Sequence, residues 1–259
     1  MDKSEEKGKG RGFMTNKVKY EEMLPSEFEQ AIIDFPVVII PTGLLEWHGD
    51  HLPLGQDALK VYGICLKIAE KLGGGIVMPP NYFGRPGYSR YIGTLTFSDA
   101  CIDLLFTELF GQLKKVGAKV IVLMTGHYGD CQVDCLKRVA KNFMIENPDI
   151  TVIAQPEYEN VSVNGEVPAD HAGKWETSMF WHLYPELTHM ENFKPGEWKI
   201  KTYKNPPNDF YKESENWTWY EDLTQTSSRE LGNTAIEIIA DHMVQVIMEV
   251  LSKQTNSKS

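Results

Sequence analysis

A chain of 259 residues with 42% hydrophobic residues is long enough to bury a full core and is most simply one domain that folds alone. Its formal net charge of -10 disfavours nucleic acid and anionic membranes as partners, because both would repel it, and favours a small molecule. The sequence has no apolar run of about 18 residues that could span a membrane, and its charged N-terminus lacks the apolar stretch of a signal peptide, so we expect a cytoplasmic protein.

Strands and helices are predicted to alternate after a polar N-terminal tail. Residues 1–12 are rich in Lys, Glu and Gly without periodicity, so we expect a disordered tail there and one folded domain over residues 13–259. Asp57, Ser98 and Asp130 stand where helix N-caps are expected. The predicted strands cover residues 35–43, 75–80, 118–126 and 150–158, and the predicted helices cover residues 58–72, 99–116, 127–147, 172–183 and 227–254. Residues 192–226 are aromatic and proline-rich, which indicates loops and short strands.

This alternation predicts an α/β fold with a mainly parallel sheet that helices cover on both faces, in other words a three-layer α/β/α sandwich. In such folds, functional sites form outside the carboxyl ends of the strands. Two polar clusters follow predicted strands, one after Gly43 and one after Gly126. We therefore expect these clusters to meet at one edge of the sheet.

The first cluster, "LLEWHGDHLPLGQD" at residues 44–57, is rich in side chains that bind metals. Glu46 and His48 are two residues apart, so on an extended segment both side chains point to one side. Asp57 returns to the same region at the start of a helix, and His127 follows another strand. Nitrogen and oxygen ligands of this kind suit a divalent ion, and a shared acid allows a centre of two ions. For each residue taken singly, the alternative is a surface or capping role.

Three segments, "GLLEWHGDHLPLGQD", "TGHYGD" and "DHAGKWETS", resemble the signature segments of the creatininase (creatinine amidohydrolase) family. The resemblance includes "GTLT" at residues 93–96 and extends from about Val37 to the last predicted helix. It implies a single creatininase-like catalytic domain, often assembled into homo-oligomers such as hexamers. It also implies two divalent metal ions, with Zn2+ expected first and Mn2+ or Fe2+ as alternatives, and hydrolysis of a C–N bond in a cyclic or linear amide.

The resemblance also implies roles for individual residues. Glu46, Asp57 and His127 would hold one ion, His48 and Asp57 would hold the other, and His171 would transfer a proton near the substrate. Three further residues are candidates for supporting roles: His51 for orienting a ligand or accepting a bond from the loop backbone, Trp175 for walling a planar substrate, and Arg90 for binding a substrate carboxylate. Packing and solvation are the alternatives for Trp175 and Arg90.

Glu176 enters as a metal ligand through a mismatch with the family. In creatininase, a carboxylate two residues after the histidine of the second segment completes the shell of the second ion, but this chain has Gly129 there. Two protein ligands would then remain for an ion that usually has three. Glu176 follows His171 by five residues and reaches the same cavity if His171 does. We therefore predict a carboxylate oxygen of Glu176 at about 2.0–2.2 Å from the second ion.

Two functions remain open at this stage. The first is a binuclear metal-dependent amidohydrolase, in which a metal-activated hydroxide attacks a small amide and His171 and Glu176 assist. The second is a protein that binds or senses metal without turnover. His171 favours the enzyme, because a protein that only binds metal has no need of an acid–base group. The four cysteines are expected to be reduced thiols outside the metal site.

Overall fold

The computed structural model describes residues 17–207 and 214–256. The expected tail over residues 1–12 lies outside these described residues. The helices are α1 (Pro25–Asp34), α2 (Gln56–Leu72), α3 (Asp99–Lys115), α4 (Asp130–Glu146), α5 (Lys174–Leu183), α6 (Leu223–Thr226) and α7 (Arg229–Asn256). The strands are β1 (Val37–Thr42), β2 (Ile76–Val77), β3 (Val120–Thr125), β4 (Thr151–Pro156), β5 (Gly196–Lys199) and β6 (Asn216–Trp219).

The first four strands form one parallel sheet in the order β2-β1-β3-β4. β1 and β3 are buried over their whole length, which explains why both read as continuous apolar runs in the sequence. Their register pairs Val37 with Val120 and Thr42 with Thr125, so the two strands end side by side. The loops that follow them therefore leave the sheet at neighbouring points.

Helices cover both faces of the sheet, which confirms the predicted α/β/α architecture. Val37 and Ile39 of β1 pack toward α2, α5 and α7, whereas Val38 and Ile40 pack toward α1, α3 and α4. Alternate residues of one strand thus belong to two separate cores. α5 and α7 approach so closely that a Cβ on Gly232 would lie 1.9 Å from the carbonyl oxygen of Ser178. α5 is thereby fixed against α7 by a contact that leaves no room for a side chain.

A third apolar cluster covers the carboxyl ends of the strands. It joins the loop after β1, through Trp47, to the antiparallel hairpin of β5 and β6, through Trp219. The hairpin matches the loops and short strands expected for this part of the chain. The cluster places aromatic rings at the same edge of the sheet as the polar side chains.

Two helix starts differ from prediction. Ser98 caps α3 as expected, since its hydroxyl accepts a hydrogen bond from the amide of Cys101. Asp57 is not an N-cap, however, because α2 begins at Gln56, two residues earlier than predicted, and Gly55 occupies the cap position. Likewise, Asp130 lies in the first turn of α4, and Gly129 precedes that turn. The carboxylate of Asp57 is therefore free of a capping role. Within residues 17–207 and 214–256, no helix is long and apolar enough to cross a membrane.

Candidate metal centre

Polar side chains from four parts of the chain converge beyond the carboxyl ends of β1 and β3. Glu46 and His48 lie in the loop after β1, Asp57 in the first turn of α2, His127 directly after β3, and Glu176 in the first turn of α5. All five side chains are buried, with at most 4% of any residue exposed. The fold thus brings together the five residues for which the sequence predicted metal ligation.

Backbone hydrogen bonds hold the loop after β1 in place on both sides. The amide of Glu46 donates to the carbonyl of Leu54 at 2.9 Å, and the amide of Leu95 donates to the carbonyl of Leu45 at 2.9 Å. The amide of Trp47 donates to Oγ1 of Thr94 at 3.1 Å. The direction of the Glu46 side chain is therefore set by the loop before any ligand binds.

One group of ligand atoms consists of Glu46, Asp57 and His127. Nδ1 of His127 lies 3.1 Å from Oε2 of Glu46 and 3.3 Å from Oδ2 of Asp57. The amide of Tyr88 donates to the other oxygen of Glu46, Oε1, at 2.5 Å. A Cβ on Gly87 would lie 1.9 Å from that oxygen, so only a glycine fits beside the carboxylate at this position. Glu46 consequently presents Oε2 alone to the two other ligands.

A second group consists of His48, Asp57 and Glu176. Nε2 of His48 lies 3.0 Å from Oδ1 of Asp57 and 3.4 Å from Oε2 of Glu176. Nδ1 of the same ring lies 3.0 Å from the carbonyl oxygen of Glu46, which can only accept, so the proton is on Nδ1. This tautomer leaves the lone pair of Nε2 directed at the two carboxylates, as metal ligation requires. Asp57 belongs to both groups, with one oxygen in each.

Buried polar atoms without hydrogen-bond partners show that the site fits divalent ions. Among the described residues, these atoms include Oε2 of Glu46, Nε2 of His48 and both carboxylate oxygens of Asp57. Burying three carboxylates beside such atoms costs free energy unless a positive charge compensates them. Nitrogen and carboxylate oxygen are the ligands that Zn2+ accepts, and Mn2+ and Fe2+ also accept them. The residues present therefore fit two ions that share Asp57.

The pKa values of the site residues indicate that the buried carboxylates need positive charge beside them. Burial lowers the pKa of His48, but Asp57 and then Glu176 outweigh it and raise this pKa well above the ordinary value. Burial raises the pKa of Glu176, but Lys60 and His48 bring it down to about 2. The carboxylates thus stay ionised, and without metal they draw protons onto the histidines. Divalent ions would supply the same compensation in place of those protons.

His171 lies beside both groups and faces the open part of the site. Its ring is 4.4 Å from that of His48, and its Nε2 lies 3.0 Å from the carbonyl oxygen of Trp47. Since the carbonyl can only accept, the ring proton is on Nε2 and Nδ1 carries the lone pair, 3.9 Å from Oε2 of Glu46. Burial and then the charge of His48 lower the pKa of His171 to about 4. The ring is therefore neutral, with a proton acceptor directed at the cavity.

The three residues with expected supporting roles occupy different places. His51 is buried behind Glu176, with its Nε2 3.1 Å from Oγ1 of Thr177 in α5, so it contacts the helix that carries Glu176. Trp175 packs into the core between the sheet and α7 and lines a neighbouring cavity. Arg90 lies in the loop after β2, where its carbonyl accepts from the amide of Tyr203. Trp175 and Arg90 do not line the cavity that contains Glu46, and their substrate contacts stay predictions.

The structure adds charged residues that the sequence did not single out. Lys60 of α2 is fully buried, and its Nζ lies 2.8 Å from Oε1 of Glu176 and 2.9 Å from Oε1 of Glu157. Asp170 accepts hydrogen bonds from the amides of Trp175 and Glu176 at 2.7 and 3.1 Å and so caps the start of α5. The signal for Lys60 was its spacing, three residues after Asp57, which puts both on one helix face.

Four of the five convergent side chains, all except His48, line a cavity of about 390 Å3 that reaches the surface. Its walls include Tyr88 and His171, whose rings are 4.3 Å apart, and Gly129 at the start of α4. A volume of this size accepts a small organic molecule. The metal-type ligands lie on its floor, so a bound molecule would contact them directly.

Comparison with known proteins agrees with this geometry. The model of the creatininase family, described as creatinine amidohydrolase, matches residues 21–247. The creatinine amidohydrolase of Pseudomonas putida is 25% identical over 236 residues, which cover 82% of this chain and 89% of that protein. The mycofactocin precursor peptide peptidase of Mycolicibacterium smegmatis is 28% identical over 163 residues, which cover 58% of this chain and 59% of the peptidase.

A solved structure supports the fold. A creatininase variant described as a Zn-Zn type superposes with a TM-score of 0.73, at 23% identity, over 90% of this chain and 97% of that chain. At this identity the likeness establishes the architecture, and the ligand assignments rest on the distances given above.

Proposed function

The chain belongs to the creatininase family, and on that premise we propose that it is a binuclear metal-dependent hydrolase that cleaves a C–N bond in a small cyclic or linear amide. The observation that supports this proposal best is the position of Asp57. Its two oxygens belong to two different groups of ligand atoms, one with His127 and Glu46 and one with His48 and Glu176. A carboxylate shared in this way is the means by which two ions are held a few Å apart.

The proposed ligands follow from the contacts. Glu46, Asp57 and His127 would hold the first ion, and His48, Asp57 and Glu176 would hold the second. When bound, the ions supply a Lewis acid for the amide carbonyl and lower the pKa of bound water toward neutrality. Zn2+ is the ion we propose first, because the ligands are imidazole nitrogens and carboxylate oxygens, with Mn2+ and Fe2+ as the alternatives.

His171 is the proposed proton carrier. Its Nε2 donates to the backbone of Trp47, so the ring is held in one orientation with Nδ1 toward the cavity. A group with this geometry can accept a proton from the attacking water and return it to the leaving nitrogen. The rings of Tyr88 and Trp217 pack against the His171 ring and help to hold it in this orientation. No side-chain nucleophile is needed in this scheme.

The proposed substrate is a small amide. The relatives named creatinine amidohydrolase and peptide peptidase act by name on a lactam and on a peptide, and a cavity of about 390 Å3 suits the smaller of the two classes. The decisive assay measures hydrolysis by the purified protein, loaded with Zn2+, Mn2+ or Fe2+. The substrates are creatinine, other lactams, formamides and short peptides. Turnover of a lactam or formamide above that of a short peptide supports the proposal, and turnover of peptides alone contradicts it.

The alternative of a non-catalytic metal-binding or sensing protein makes the opposite prediction for this assay. Such a protein would bind ions and turn over no amide with any of the metals. The neutral, oriented imidazole of His171 beside the ligand groups favours the enzyme, because metal binding alone does not require it.

We also propose that the protein assembles into a homo-oligomer, with a hexamer expected from the family. Several large apolar side chains are exposed, including Phe83, Ile92 and Leu95. Light scattering at micromolar concentration tests this, and a monomer would contradict it. The cytoplasmic location expected from the sequence stays a prediction.

A further inference from the structure

The centre of this inference is Lys60, a fully buried lysine on the same face of α2 as Asp57. Its Nζ contacts the Glu157 and Glu176 carboxylates at 2.9 and 2.8 Å, the carbonyl oxygen of Gly126 at 3.4 Å and the hydroxyl of Tyr128. The donors of the ammonium group are therefore all directed at oxygen atoms.

Glu157 already compensates the charge of Lys60. It follows β4, is fully buried, and accepts a second hydrogen bond from the hydroxyl of Tyr128 at 2.7 Å. The pair of Lys60 and Glu157 is therefore nearly neutral by itself. The contact between Lys60 and Glu176 is not needed to compensate the charge of the lysine, so this contact requires another explanation.

The two oxygens of Glu176 have different surroundings. Oε1 accepts from Lys60, whereas Oε2 accepts from the amide of Ala172 at 2.7 Å and lies 3.4 Å from Nε2 of His48. The carboxylate of Asp170 accepts a hydrogen bond from the backbone amide of Glu176. The side chain is thus fixed at both oxygens and at its backbone. Only Oε2 faces the other ligands of the second group.

We propose that Lys60 is a positioning residue, which occupies Oε1 of Glu176 and so presents Oε2 to the second ion as a one-oxygen ligand. In this arrangement Glu157 holds Lys60 in place. Without Lys60, the carboxylate could rotate or present both oxygens, and the second site would lose its preformed geometry. Partners of metal ligands that act in this way typically change affinity by about 10–100-fold when they are removed.

This inference rests on the proposed binuclear function, and the test separates the two. Apo protein is prepared with a chelator and titrated with Zn2+ by calorimetry and with Co2+ by visible absorption, which reports coordination. The variant is Lys60→Met with Glu157→Gln, because removal of Lys60 alone would leave Glu157 charged and unpaired in the core. A matched control is Lys67→Met with Glu237→Gln, which removes a lysine–glutamate pair between α2 and α7 that contacts none of the proposed metal ligands.

The wild-type titration is read first. Uptake of only one ion by wild-type protein would overturn the binuclear function and this inference with it. If two ions bind, we expect the second to bind at least about tenfold more weakly to the Lys60 double variant, with a changed Co2+ spectrum and an unchanged first site. The control should bind both ions like wild type. Equal or tighter binding of the second ion by the Lys60 double variant would overturn the role of Lys60 and leave the binuclear function standing.

A crystal structure of the metal-loaded wild-type protein is a second test, which does not depend on the folding of a variant. One Glu176 oxygen should contact the second ion while the other remains within hydrogen-bond distance of Lys60 Nζ. Two Glu176 oxygens on the ion, or a Lys60 Nζ more than about 3.5 Å from Glu176, would contradict the inference.

Discussion

Nε2 of His48 lies 3.0 Å from Oδ1 of Asp57, yet neither atom has a hydrogen-bond partner of acceptable geometry in the described structure. The ring proton of His48 is on the opposite nitrogen, where it bonds the carbonyl of Glu46. A lone pair that faces a carboxylate at this distance is unfavourable, so either Nε2 carries a second proton, as the raised pKa of His48 indicates for the metal-free protein, or a cation lies between the two atoms. Two ligands at about 2.0–2.2 Å from a tetrahedral ion are themselves about 3.4 Å apart, so the spacing is close to that of a ligand pair.

Asp57→Ala should therefore remove at least one ion. Both groups of ligand atoms contain Asp57, and each would be left with two protein ligands. Elemental analysis after dialysis measures the loss. Asp50→Ala in the same loop is the matched control, since the side chain of Asp50 is exposed and its loss should leave metal content unchanged. Wild-type stoichiometry in the Asp57 variant would remove this residue from the site.

Gly87→Ala should damage the first ion's site without a change of charge. The added methyl group would lie 1.9 Å from Oε1 of Glu46 and 2.5 Å from Cε1 of His127, so the loop or the two ligands must move. We expect weaker binding of the first ion and a lower amidase rate, measured by metal titration and by the amide panel.

Gly111→Ala is the control for this substitution. Gly111 lies inside α3 with no atom within 4 Å of the position of an added Cβ. Alanine there should leave metal binding intact and raise the free energy of unfolding by about 1 kcal/mol, because alanine is the better helix former. Equal metal binding by the two alanine variants would show that the close approach of Gly87 is unimportant.

Much of the fold was predictable because its strands are buried on both faces. Continuous apolar runs such as residues 37–40 predict parallel strands, and the helices between them follow from their apolar periodicity. α1 was not predicted, since Ile32 is its only buried residue and Ile33 beside it is 69% exposed. The error at Asp57 has a different cause. An aspartate before an apolar helix usually caps it, but here the histidines draw the carboxylate away and Gly55 takes the cap position.

Glu176 was predicted through the mismatch with the family at Gly129, and the four other metal-type residues were predictable as a set because each follows a strand or begins a helix at one edge of the sheet. Lys60 and Glu157 were not. They meet because Lys60 of α2 reaches the residue that follows β4, and a single charged residue in a sequence is by default assigned to the surface. Two residues that are far apart in the chain leave no local sequence pattern that predicts their contact. The structure was needed to reveal the cluster behind Glu176.

His171→Ala should lower turnover while both ions remain bound. The ring lies beside the ligand groups, with Nδ1 3.9 Å from Glu46, and its proposed role is proton transfer. Loss of a general acid–base group typically costs about 10²–10⁴-fold in rate. The measurement is kcat on whichever amide the wild-type protein hydrolyses, together with metal content. His189→Ala changes an exposed histidine and should alter neither quantity. Loss of metal together with activity would instead make His171 a ligand.

Glu176→Gln tests the replacement of the carboxylate that Gly129 cannot supply. Glutamine keeps the shape of the side chain but carries no charge, and its amide nitrogen cannot bind a cation. Oε2 of Glu176 lies 3.4 Å from Nε2 of His48, and this oxygen is the third protein ligand that the second ion needs. We therefore expect one ion per chain to be lost or weakly held, with the ion between Glu46, Asp57 and His127 retained.

The same variant also affects Lys60, so the result must be separated from a simple loss of stability. Lys60 keeps Glu157 as its partner at 2.9 Å, so we expect the apo variant to be folded. It should then unfold in one cooperative transition on heating. Glu191→Gln, an exposed change, serves as the control for both readouts. If a folded Glu176→Gln protein binds two ions tightly, Glu176 is not a ligand. A metal-loaded crystal structure with Glu176 more than about 3.5 Å from both ions would lead to the same conclusion, because zinc–carboxylate bonds are about 2.0–2.2 Å long.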